Sequence, residues 1–561
     1  MTGYRVSTTP TSDPRYPLWA AYLHCFDTVA HLYDHSPHDP ASYGHRLEEL
    51  RQRFEGDREA LAAVLAAYAR SLGAPAPVLA AAGDLADPGS VVVIGGQQPG
   101  VLTGPLYTFW KAAVVIELAG EVRRLLPAGT KVVPVFWVGA EDHDLAEISQ
   151  VHVLTPRGDI VRHAYDPGGG FAPRTSVGSL PTGPAVEAFL AEVETSLWST
   201  EFTAGVVGLL RETAAASTDL GEWFGRLLFA LFGDRGLLVA NPLDPGLRAL
   251  QRPAFRRMVE ENEALAEAFA LGQRRVRDLG FEPQVDKDPQ SANLYVYRGM
   301  ERVPLRRLSA DVFELGPGHG QDRAETLTRR DLLEMVAASP ERLSPNVVLR
   351  PVGQDMLLPV LAYVGGPGET SYFGLYREVY HRLGRRMPIV YPRPGVTIIE
   401  RSVARHLGRL GLDPAAALDP EALQAARASW LDRADPVGID KAFGRLARLI
   451  ADEYETLTGV VAGVETSLKG LAAKNRGKVL AEAEWLRKKV WQEHRRKSRE
   501  TLRRFDVVAA SLRPRGDYQE RVFNIFPYLV KYGPGLADAL AGLPLVPPGA
   551  AVDPGHRLVW L

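Results

Sequence analysis

The stretch VVVIGGQQPGVLTGPLYTFWK, residues 91–111, decides the fold class of this chain. Its opening apolar residues predict a buried strand, the glycines that follow predict a turn, and apolar residues at helical intervals predict a helix from about Leu106. The next apolar run, VVPVFWV at residues 132–138, is continuous, which is typical of a strand covered on both faces. A strand, a helix and a strand at this spacing form a right-handed parallel unit, so we predict an α/β protein with a doubly wound parallel core.

The composition of the 561-residue chain restricts its function class. A formal net charge of −2 argues against a protein that binds nucleic acid through its overall charge. The chain has no run of about 20 apolar residues that could span a bilayer, and its first residues lack the order of a secretory signal. We therefore expect a cytoplasmic protein with no membrane or nucleic-acid partner. The single cysteine, Cys25, excludes an intrachain disulfide and a cysteine-rich metal site.

Turn-rich segments interrupt the predicted sheet and indicate insertions. The stretch PGGGFAPRTSVGSLPTGP, residues 167–184, breaks the alternation of strands and helices, and LLVANP, residues 237–242, predicts a strand that returns to the sheet. The predicted organisation is a core with a helical N-terminus at 1–153, a first insertion at 154–222, core at 223–280, a second insertion at 281–343, core at 344–400, a helical coiled-coil arm at 401–515 and a C-terminal segment at 516–561 that docks on the core.

The arm is predicted from a heptad pattern. Apolar residues recur at separations of three and four from Phe443 to Leu471, and the pattern resumes at Val479 after AKNRGK, residues 473–478, interrupts it. Two long helices that fold back as an antiparallel coiled coil fit this pattern, and a homodimer formed through the arm is a hypothesis. The Lys- and Arg-rich residues 487–504 indicate a solvated helix face, with phosphate binding as the alternative.

The turn after the first predicted strand is a candidate site, because ligands of open α/β sheets bind beyond the carboxyl ends of the strands. Its glycines fit neither the G-x-G-x-x-G dinucleotide fingerprint nor a P-loop. Glutamine amides, a threonine hydroxyl, backbone amides and a lysine would suit a small polar ligand that carries a carboxylate. The candidate ligand-binding residues are Gln97, Gln98, Gly100, Thr103, Gly104 and Lys111. A tight strand-to-helix connection without a ligand is the alternative.

The second predicted strand ends in GAEDHD, residues 139–144. Asp142, His143 and Asp144 could hold a hard metal ion, act as general acids and bases or contact a polar substrate, or cap the next helix. Three adjacent side chains cannot all converge on one metal ion, so we predict a catalytic role and no metal. His143 is the natural proton carrier, because the ordinary pKa of histidine is nearest to neutrality.

A second polar cluster lies in SPNVVLRPVGQDMLLPVLAYVGGPGETSYFGLY, residues 344–376. Its first polar residues are predicted on a short strand and loop, and GGPG is predicted to form a turn. Arg350 could bind a carboxylate through two hydrogen bonds, and Glu369 could receive an ammonium group or act as a base. The candidate ligand-binding residues are Asn346, Arg350, Gln354, Glu369, Tyr372 and, after the strand PIVY, Arg393. A buried Arg–Glu pair at a sheet edge, and a solvated charge at Arg393, are the alternatives.

Several long motifs, in the same order, resemble one known family. GGQQPGVLTGPLYTFWK, VPVFWVGAEDHDLAEI, SPNVVLRPVGQDMLLPVLAYVGGPGETSYF, MPIVYPR and QERVFNIFPYLVKYGP are similar to the cysteine-adding enzymes of bacillithiol biosynthesis, the BshC family. The resemblance implies a Rossmann-like core with two connecting-peptide-like insertions and a coiled-coil dimerisation arm. It also implies a ligase that adds L-cysteine to the glucosamine amine of glucosaminyl-malate, the last step of bacillithiol biosynthesis.

The implied chemistry requires an activated cysteine carboxylate, and ATP or another nucleotide is the natural activator. The core resembles that of class I aminoacyl-tRNA synthetases, which form aminoacyl-adenylates. This chain, however, has neither an H-x-G-H signature after the first strand nor a K-M-S-K-S-type loop, and its glutamine-glycine turn stands where the first signature would be. Use of a nucleotide is therefore a hypothesis. A nucleotidyl- or glycosyl-transferase and a coiled-coil interaction protein remain as alternatives.

Overall fold

The computed structural model describes residues 4–10, 13–320, 323–435 and 438–561. Two compact units result, one made of Met1–Ile398 and Gln519–Val559 and the other of Ile399–Tyr518 and Trp560–Leu561. The first unit contains nearly all the strands, whereas the second consists mainly of helices and includes the segment predicted as the arm.

Fifteen strands run through the described residues. They are β1 (Arg5–Thr9), β2 (Val91–Gln97), β3 (Val132–Val138), β4 (Gln150–Leu154), β5 (Ile160–Ala164), β6 (Leu238–Ala240), β7 (Ser291–Arg298), β8 (Glu301–Arg307), β9 (Val312–Leu315), β10 (Glu325–Thr328), β11 (Leu343–Pro345), β12 (Val360–Gly365), β13 (Ile389–Pro392), β14 (Val396–Ile399) and β15 (His556–Trp560). They form four sheets in the orders β1-β15-β14, β10-β9-β8-β7-β11, β13-β12-β2-β3-β6 and β4-β5.

The α-helices lie between the strands, singly or in groups, in the first unit and follow one another in the second. They are α1 (Pro17–His24), α2 (Phe26–Val29), α3 (Ala41–Arg53), α4 (Arg58–Ser71), α5 (Ala76–Asp84), α6 (Leu106–Leu125), α7 (Leu145–Ile148), α8 (Pro184–Glu194), α9 (Thr203–Ala215), α10 (Leu220–Phe232), α11 (Pro245–Leu250), α12 (Arg252–Glu260), α13 (Asn262–Asp278), α14 (Arg329–Ala338), α15 (Arg350–Leu357), α16 (Pro367–Phe373), α17 (Arg377–Arg382), α18 (Arg401–Leu410), α19 (Pro414–Ala417), α20 (Pro420–Arg433), α21 (Ile439–Val464), α22 (Lys469–Lys497), α23 (Arg499–Leu512), α24 (Gln519–Val522), α25 (Phe526–Tyr532) and α26 (Gly535–Ala541). Within the described ranges, none of these helices has both the length and the apolar character needed to cross a membrane.

The central sheet, β13-β12-β2-β3-β6, is parallel throughout. From β2 the chain first adds β3 and β6 on one side of the sheet. It then adds β12 and β13 on the other side of β2, so the direction of winding reverses between β12 and β2. Such a reversal opens a crevice at the carboxyl ends of the strands, where open α/β sheets bind ligands. The parallel order confirms the predicted doubly wound, Rossmann-like core.

The first strand extends further than the sequence predicted. β2 pairs with β3 as far as Gln97, so Gly95 and Gly96 belong to the strand and the turn begins after them. A Cβ atom on Gly96 would lie 2.6 Å from the Trp137 carbonyl oxygen, which is too close for any other residue. Gly96 therefore allows close packing against β3, and Gly95 allows close packing against Val115 and Lys111 of α6, which local propensity rules cannot reveal.

Residues 346–357 differ from the predicted strand and loop. The chain forms α15, which begins at Arg350 with Pro351 in the first turn, where the missing proline N–H costs no hydrogen bond. The Arg350 N–H bonds to the Asn346 carbonyl oxygen at 2.9 Å. Arg350 and Gln354 are four residues apart on one helix face, which explains how both reach the same cavity. Likewise, GGPG is a strand-to-helix junction, with Gly366 as the N-cap of α16.

Short antiparallel sheets lie in and at the borders of the two predicted insertions, since β4 begins at Gln150, before the first, and β11 ends at Pro345, after the second. β4 and β5 form a hairpin, and β7 to β11 form the five-stranded sheet β10-β9-β8-β7-β11. The β7–β8 part of this sheet carries Tyr295 and Arg302, which line the cavity described below. We retain 154–222 and 281–343 as the proposed extents of the insertions.

In the second unit, α21 and α22 form an antiparallel helical hairpin. Tyr454 donates a hydrogen bond to Asn475 at 2.5 Å, and Asp440 accepts hydrogen bonds from Arg487 and Trp491. The predicted break at AKNRGK is wrong, because those residues lie inside α22 and the chain reverses at Thr466–Leu468. The polar interruption of the heptad pattern is an exposed stretch of continuous helix, since lysine and arginine are good helix formers.

Candidate functional site

A cavity of about 500 Å³ lies at the carboxyl ends of β2, β3, β12 and β13. This volume is typical of small-molecule sites, which enclose about 300–1,000 Å³. The predicted site residues that line it are Gln97, Gln98, Lys111, Asp142, His143, Asn346, Arg350, Gln354, Glu369, Tyr372 and Arg393. Residues from the two separate polar clusters of the sequence therefore meet in one cavity.

Three predicted residues of the first turn do not line this cavity. Gly100 and Gly104 pack against each other, since a Cβ atom on Gly100 would lie 2.8 Å from the Gly104 Cα atom. Thr103 is buried and has a positive φ of 66°. Asn524 holds this strained turn by donating hydrogen bonds to the carbonyl oxygens of Leu102, at 2.5 Å, and Gly104, at 2.6 Å. This half of the turn is scaffold, as in the alternative without a ligand.

Asp144 also lies outside the cavity lining. Its carboxylate accepts the Glu147 N–H at 3.1 Å and so caps the N-terminus of α7. Capping was one of the alternatives for this cluster, and it accounts for the Asp144 side chain.

Lys111 is buried and held by three oxygen atoms. Its ammonium donates to the Gly96 carbonyl at 2.7 Å, to Gln97 Oε1 at 3.2 Å and to Glu369 Oε2 at 2.5 Å. Burial lowers the pKa of Lys111, and the charge of Glu369 opposes that change. Glu369 also accepts hydrogen bonds from the Tyr363 hydroxyl and the Gly366 N–H. The charge on Glu369 is thus already balanced within the protein.

Arg393 and Glu141 are likewise paired. Arg393 donates two hydrogen bonds to Glu520, at 2.9 and 2.8 Å, and both side chains are buried. This excludes a solvated charge at the end of β13. Glu141, at the floor of the cavity, accepts a hydrogen bond at 2.7 Å from Arg248, which is also buried.

One side of the cavity is acidic, and we call Gln98, Asp142 and Glu147 the acidic wall. The Gln98 side-chain nitrogen lies 3.1 Å from Asp142 Oδ2 and 2.7 Å from Glu147 Oε2. Burial alone would raise the pKa of Asp142, but the nearby Arg350 guanidinium and the His143 backbone N–H hold it below its ordinary value. By contrast, burial and the charge of Asp142 raise the pKa of Glu147.

Arg302 and Arg350 contribute positive charge to the lining, and we call them the basic wall. The Arg302 guanidinium lies 4.1 Å from the centre of the Tyr295 ring and donates to the Pro345 carbonyl at 3.0 Å. Its buried Nε has no hydrogen-bond partner among the described residues. No carboxylate of the described chain lies within ion-pair distance of either guanidinium, in contrast to Arg393.

His143 lies between the two walls. Its Nδ1 atom is 3.5 Å from an Arg302 nitrogen and 3.9 Å from Asp142 Oδ1. A guanidinium only donates hydrogen bonds, so a hydrogen bond along the 3.5 Å contact requires a neutral ring with its proton on Nε2. Burial and the charge of Arg302 lower the pKa of His143, which favours this neutral form.

Sequence reasoning missed several residues of the cavity lining. Glu147 lies on α7, four residues along the chain from His143, so its position directly after the GAEDHD cluster could have identified it. Tyr295 and Arg302 approach from an insertion that is remote along the chain, and their local sequence carries no signal. The other missed polar residues include Tyr16, Tyr107, Glu141, Gln284, Lys287, Tyr363 and Arg521.

Comparison with protein families accounts for both units. The family described as "Bacillithiol biosynthesis BshC, N-terminal Rossmann-like domain" matches residues 4–394, and "Bacillithiol biosynthesis BshC, C-terminal coiled-coil domain" matches residues 396–549. The chain belongs to the BshC family. This confirms the family resemblance, the Rossmann-like core and the coiled-coil arm that the sequence motifs predicted.

Full-length relatives carry the same family name. Three of them, from Symbiobacterium thermophilum, Desulforamulus reducens and Geobacillus kaustophilus, are each named "Putative cysteine ligase BshC". They are 38%, 33% and 34% identical to this chain over 537, 522 and 525 residues, respectively. Each alignment covers 93% of this chain and 94% of the relative, so the BshC likeness extends over both units.

The cavity contains groups for ligand charges of both signs. The basic wall suits carboxylates, because a guanidinium binds a carboxylate through two parallel hydrogen bonds. The acidic wall suits an ammonium group or can accept a proton from one.

Among the described residues, no group of three or more His, Cys, Asp and Glu side chains is arranged to hold a metal ion. The packed Gly100–Gly104 turn offers no open cradle for a phosphate.

Proposed function

We propose that this BshC-family chain is a ligase that joins the carboxyl group of L-cysteine to the glucosamine amine of glucosaminyl-malate. The family membership and the names of the relatives support a cysteine ligase of bacillithiol biosynthesis. The single structural observation that carries the proposal is the cavity in which two guanidiniums without carboxylate partners face a pair of carboxylates. Glucosaminyl-malate has the matching chemistry, since it carries two carboxylates and an amine.

The basic wall would bind the malate carboxylates. Arg350 projects from α15, and Arg302 reaches the cavity from β8, so two separate elements could each hold one carboxylate. Asn346, Gln354 and Tyr372 lie beside Arg350 and would provide further polar contacts for the malate or the sugar. A substrate without the malate group would leave both guanidiniums without a counter-charge.

The acidic wall would receive the amine. Asp142, whose pKa is lowered, stays ionised and would orient the ammonium group. His143 in its neutral form presents the Nε2–H as a donor, which suits a sugar hydroxyl or the oxygen that gains negative charge during amide formation. Lys111 and Glu369 would act chiefly by fixing Gln97 and the strand ends that carry this wall.

Amide formation requires an activated carboxylate, and we propose a nucleoside triphosphate, such as ATP, as the activator. It would supply a phosphate-linked leaving group on the cysteine carboxylate. We assign it no position in the glycine turn, because Gly100, Gly104 and Asn524 close that turn. No metal ion is part of the proposal.

We also propose that the arm pairs with a second copy of the chain in the cytoplasm. Several large apolar side chains of the hairpin are exposed, as expected for a coiled-coil surface with a partner. They are Leu446, Leu449, Leu457, Val460, Val464, Leu471, Trp485 and Leu486. Light scattering should give the mass of a dimer, and a monomer at all concentrations would contradict this part of the proposal.

The ligation can be tested directly. Purified protein is incubated with cysteine, glucosaminyl-malate and ATP or GTP, and the products are analysed by mass spectrometry. We expect bacillithiol together with either the nucleoside mono- or diphosphate, which identifies the bond broken during activation. The controls omit one substrate at a time. No ligation product with any nucleotide would contradict the proposed function, and transfer of a nucleotidyl or glycosyl group instead would replace it.

A further inference from the structure

Glu147 lies at the mouth of the cavity, where the side-chain amide of Gln98 donates hydrogen bonds to both Glu147 and Asp142. The Gln98 side-chain nitrogen has two hydrogen atoms, and it lies 2.7 Å from Glu147 Oε2 and 3.1 Å from Asp142 Oδ2. We propose that Glu147 is the general base that removes protons from the attacking amine. This inference rests on the proposed function, because it assigns one step of that ligation.

The two bridged carboxylates differ in proton affinity. The pKa of Asp142 is lowered, chiefly because Arg350 and the His143 N–H outweigh the effect of its burial. The pKa of Glu147 is raised by burial and by the charge of Asp142. Two carboxyl groups whose pKa values are driven apart take different roles, and the one with the higher pKa is the better proton acceptor. The geometry and the proton affinities therefore favour the same residue.

The groups around Glu147 come from three elements. Asp144 lies on the same turn and Asp142 after β3, and both charges raise the pKa of Glu147. The Gln98 amide, which follows β2, and Lys111, which lies on α6, lower the pKa of Glu147. The charge of Lys111 is largely balanced by its 2.5 Å ion pair with Glu369. His143, Tyr107 and Arg521 also line this part of the cavity.

The other candidate bases are occupied. His143 directs its Nδ1 lone pair at Arg302, which leaves Nε2–H as a donor. Asp144 caps α7, and Glu369 is paired with Lys111. Glu147 alone among these four side chains combines partial solvent exposure at the cavity mouth with a pKa that partial burial raises.

The ligation moves two protons and exchanges one bond at the cysteine carbonyl carbon. Ionised Glu147 takes one proton from the bound ammonium and passes it to water at the mouth of the cavity. The lone pair of the neutral amine then forms a bond to the cysteine carbonyl carbon, which a nucleoside triphosphate has activated. The bond from that carbon to the phosphate oxygen breaks, and its electron pair leaves with the phosphate. Glu147 takes the surplus proton from the new nitrogen, giving a neutral amide.

The test is a pH profile of ligation by Glu147→Gln and the wild type. At neutral pH we expect kcat/KM of the variant to fall by about 10²–10⁴-fold, the usual contribution of a general base. The loss should diminish as the pH rises, because the neutral amine then becomes abundant without help from the protein. We also expect kcat/KM of the wild type to reach its plateau at a lower pH than kcat/KM of the variant. Equal melting temperatures would show that the variant is folded.

Two further variants sharpen the test. Glu147→Asp keeps a carboxylate on a shorter side chain and should recover part of the lost rate. Glu334→Gln, on the exposed face of α14, removes a surface carboxylate and should leave the rate unchanged. If the wild type and Glu147→Gln ligate equally with the same pH profile, Glu147 is not the base but the ligation stands. If the wild type forms no product with any nucleotide, the proposed function fails and the role of Glu147 fails with it.

Discussion

The charged side chains around the cavity differ in whether the protein itself supplies their partners, and we call the paired ones the scaffold charges. In the scaffold, Arg248 pairs with Glu141, and Arg393 pairs with Glu520 through two hydrogen bonds. In the cavity, Arg302 and Arg350 have no carboxylate at ion-pair distance within the described chain. A guanidinium cannot lose its proton at physiological pH, so its charge must be balanced by more distant carboxylates, as Asp142 does in part for Arg350, and by solvent or a ligand. The unpaired guanidiniums thus indicate the charge of the ligand, whereas the paired ones hold the walls in place.

The largest effect is expected from breaking a scaffold pair. Glu520→Gln would leave Arg393 buried without a counter-charge, so we expect a loss of about 3–5 kcal/mol in the free energy of unfolding. Urea denaturation measures this loss. The matched control is Glu334→Gln, which breaks an exposed pair with Arg330 and should cause no measurable change. Equal stability of the two variants would show that the buried pair has no special role.

A smaller effect, on binding rather than folding, is expected in the basic wall. Arg350→Met should raise KM for glucosaminyl-malate by about 10–150-fold, because a charged hydrogen bond contributes about 1.5–3 kcal/mol. Arg350→Lys keeps the charge but not the planar pair of donors, so its KM should lie between those of Met and wild type. Steady-state kinetics and urea denaturation together separate binding from folding. A loss of stability with an unchanged KM would place Arg350 among the scaffold charges.

The uncharged support of the turn should matter somewhat less. Asn524→Ala would remove the donors for the buried carbonyl groups of Leu102 and Gly104, at about 1–3 kcal/mol of unfolding free energy. Asn524→Asp is a useful comparison, since it keeps the shape but replaces the donor with an acceptor and should be at least as harmful. Urea denaturation of both variants is the measurement. Wild-type stability of Asn524→Ala would mean that the strained turn needs no support from this side chain.

A pH-dependent effect is expected from a carboxylate that has no cationic partner at ion-pair distance among the described residues. Glu117 accepts the N–H groups of Leu545 and Val546, and burial raises its pKa to about 7 from an ordinary 4.5. Between these values the folded state holds the proton that the unfolded state has lost, so stability should fall as pH rises through this window and level off above it. Glu117→Gln cannot ionise and should gain stability relative to wild type across the window. A stability difference that does not change with pH would contradict this.

The fold could be predicted where the signal is local. Continuous apolar runs identified β2 and β3, and helical spacing identified α6, because β3 is buried along its whole length and β2 and α6 along most of theirs. The heptad pattern also predicted the hairpin of α21 and α22. It misplaced the reversal, since an exposed polar stretch such as 473–478 fits a helix as well as a turn.

The site could be predicted only in part. Residues at strand ends meet in the cavity because parallel strands end at the same edge of the sheet, and this rule located Gln98, Asp142 and Glu369. Arg302 reaches the cavity through the fold of an insertion, and Asn524 reaches the turn from more than 400 residues away along the chain. Such contacts depend on tertiary structure and leave no trace in the local sequence.

The central claim is that the unpaired guanidiniums of the cavity are present for the carboxylates of the substrate. Isothermal titration calorimetry of the wild-type protein with glucosaminyl-malate, and with a methyl glucosaminide that lacks malate, tests it most directly. We predict at least roughly tenfold tighter binding of glucosaminyl-malate, the equivalent of about 1.4 kcal/mol, and loss of most of this preference in Arg350→Met. Equal affinity of the wild type for both ligands would contradict the claim.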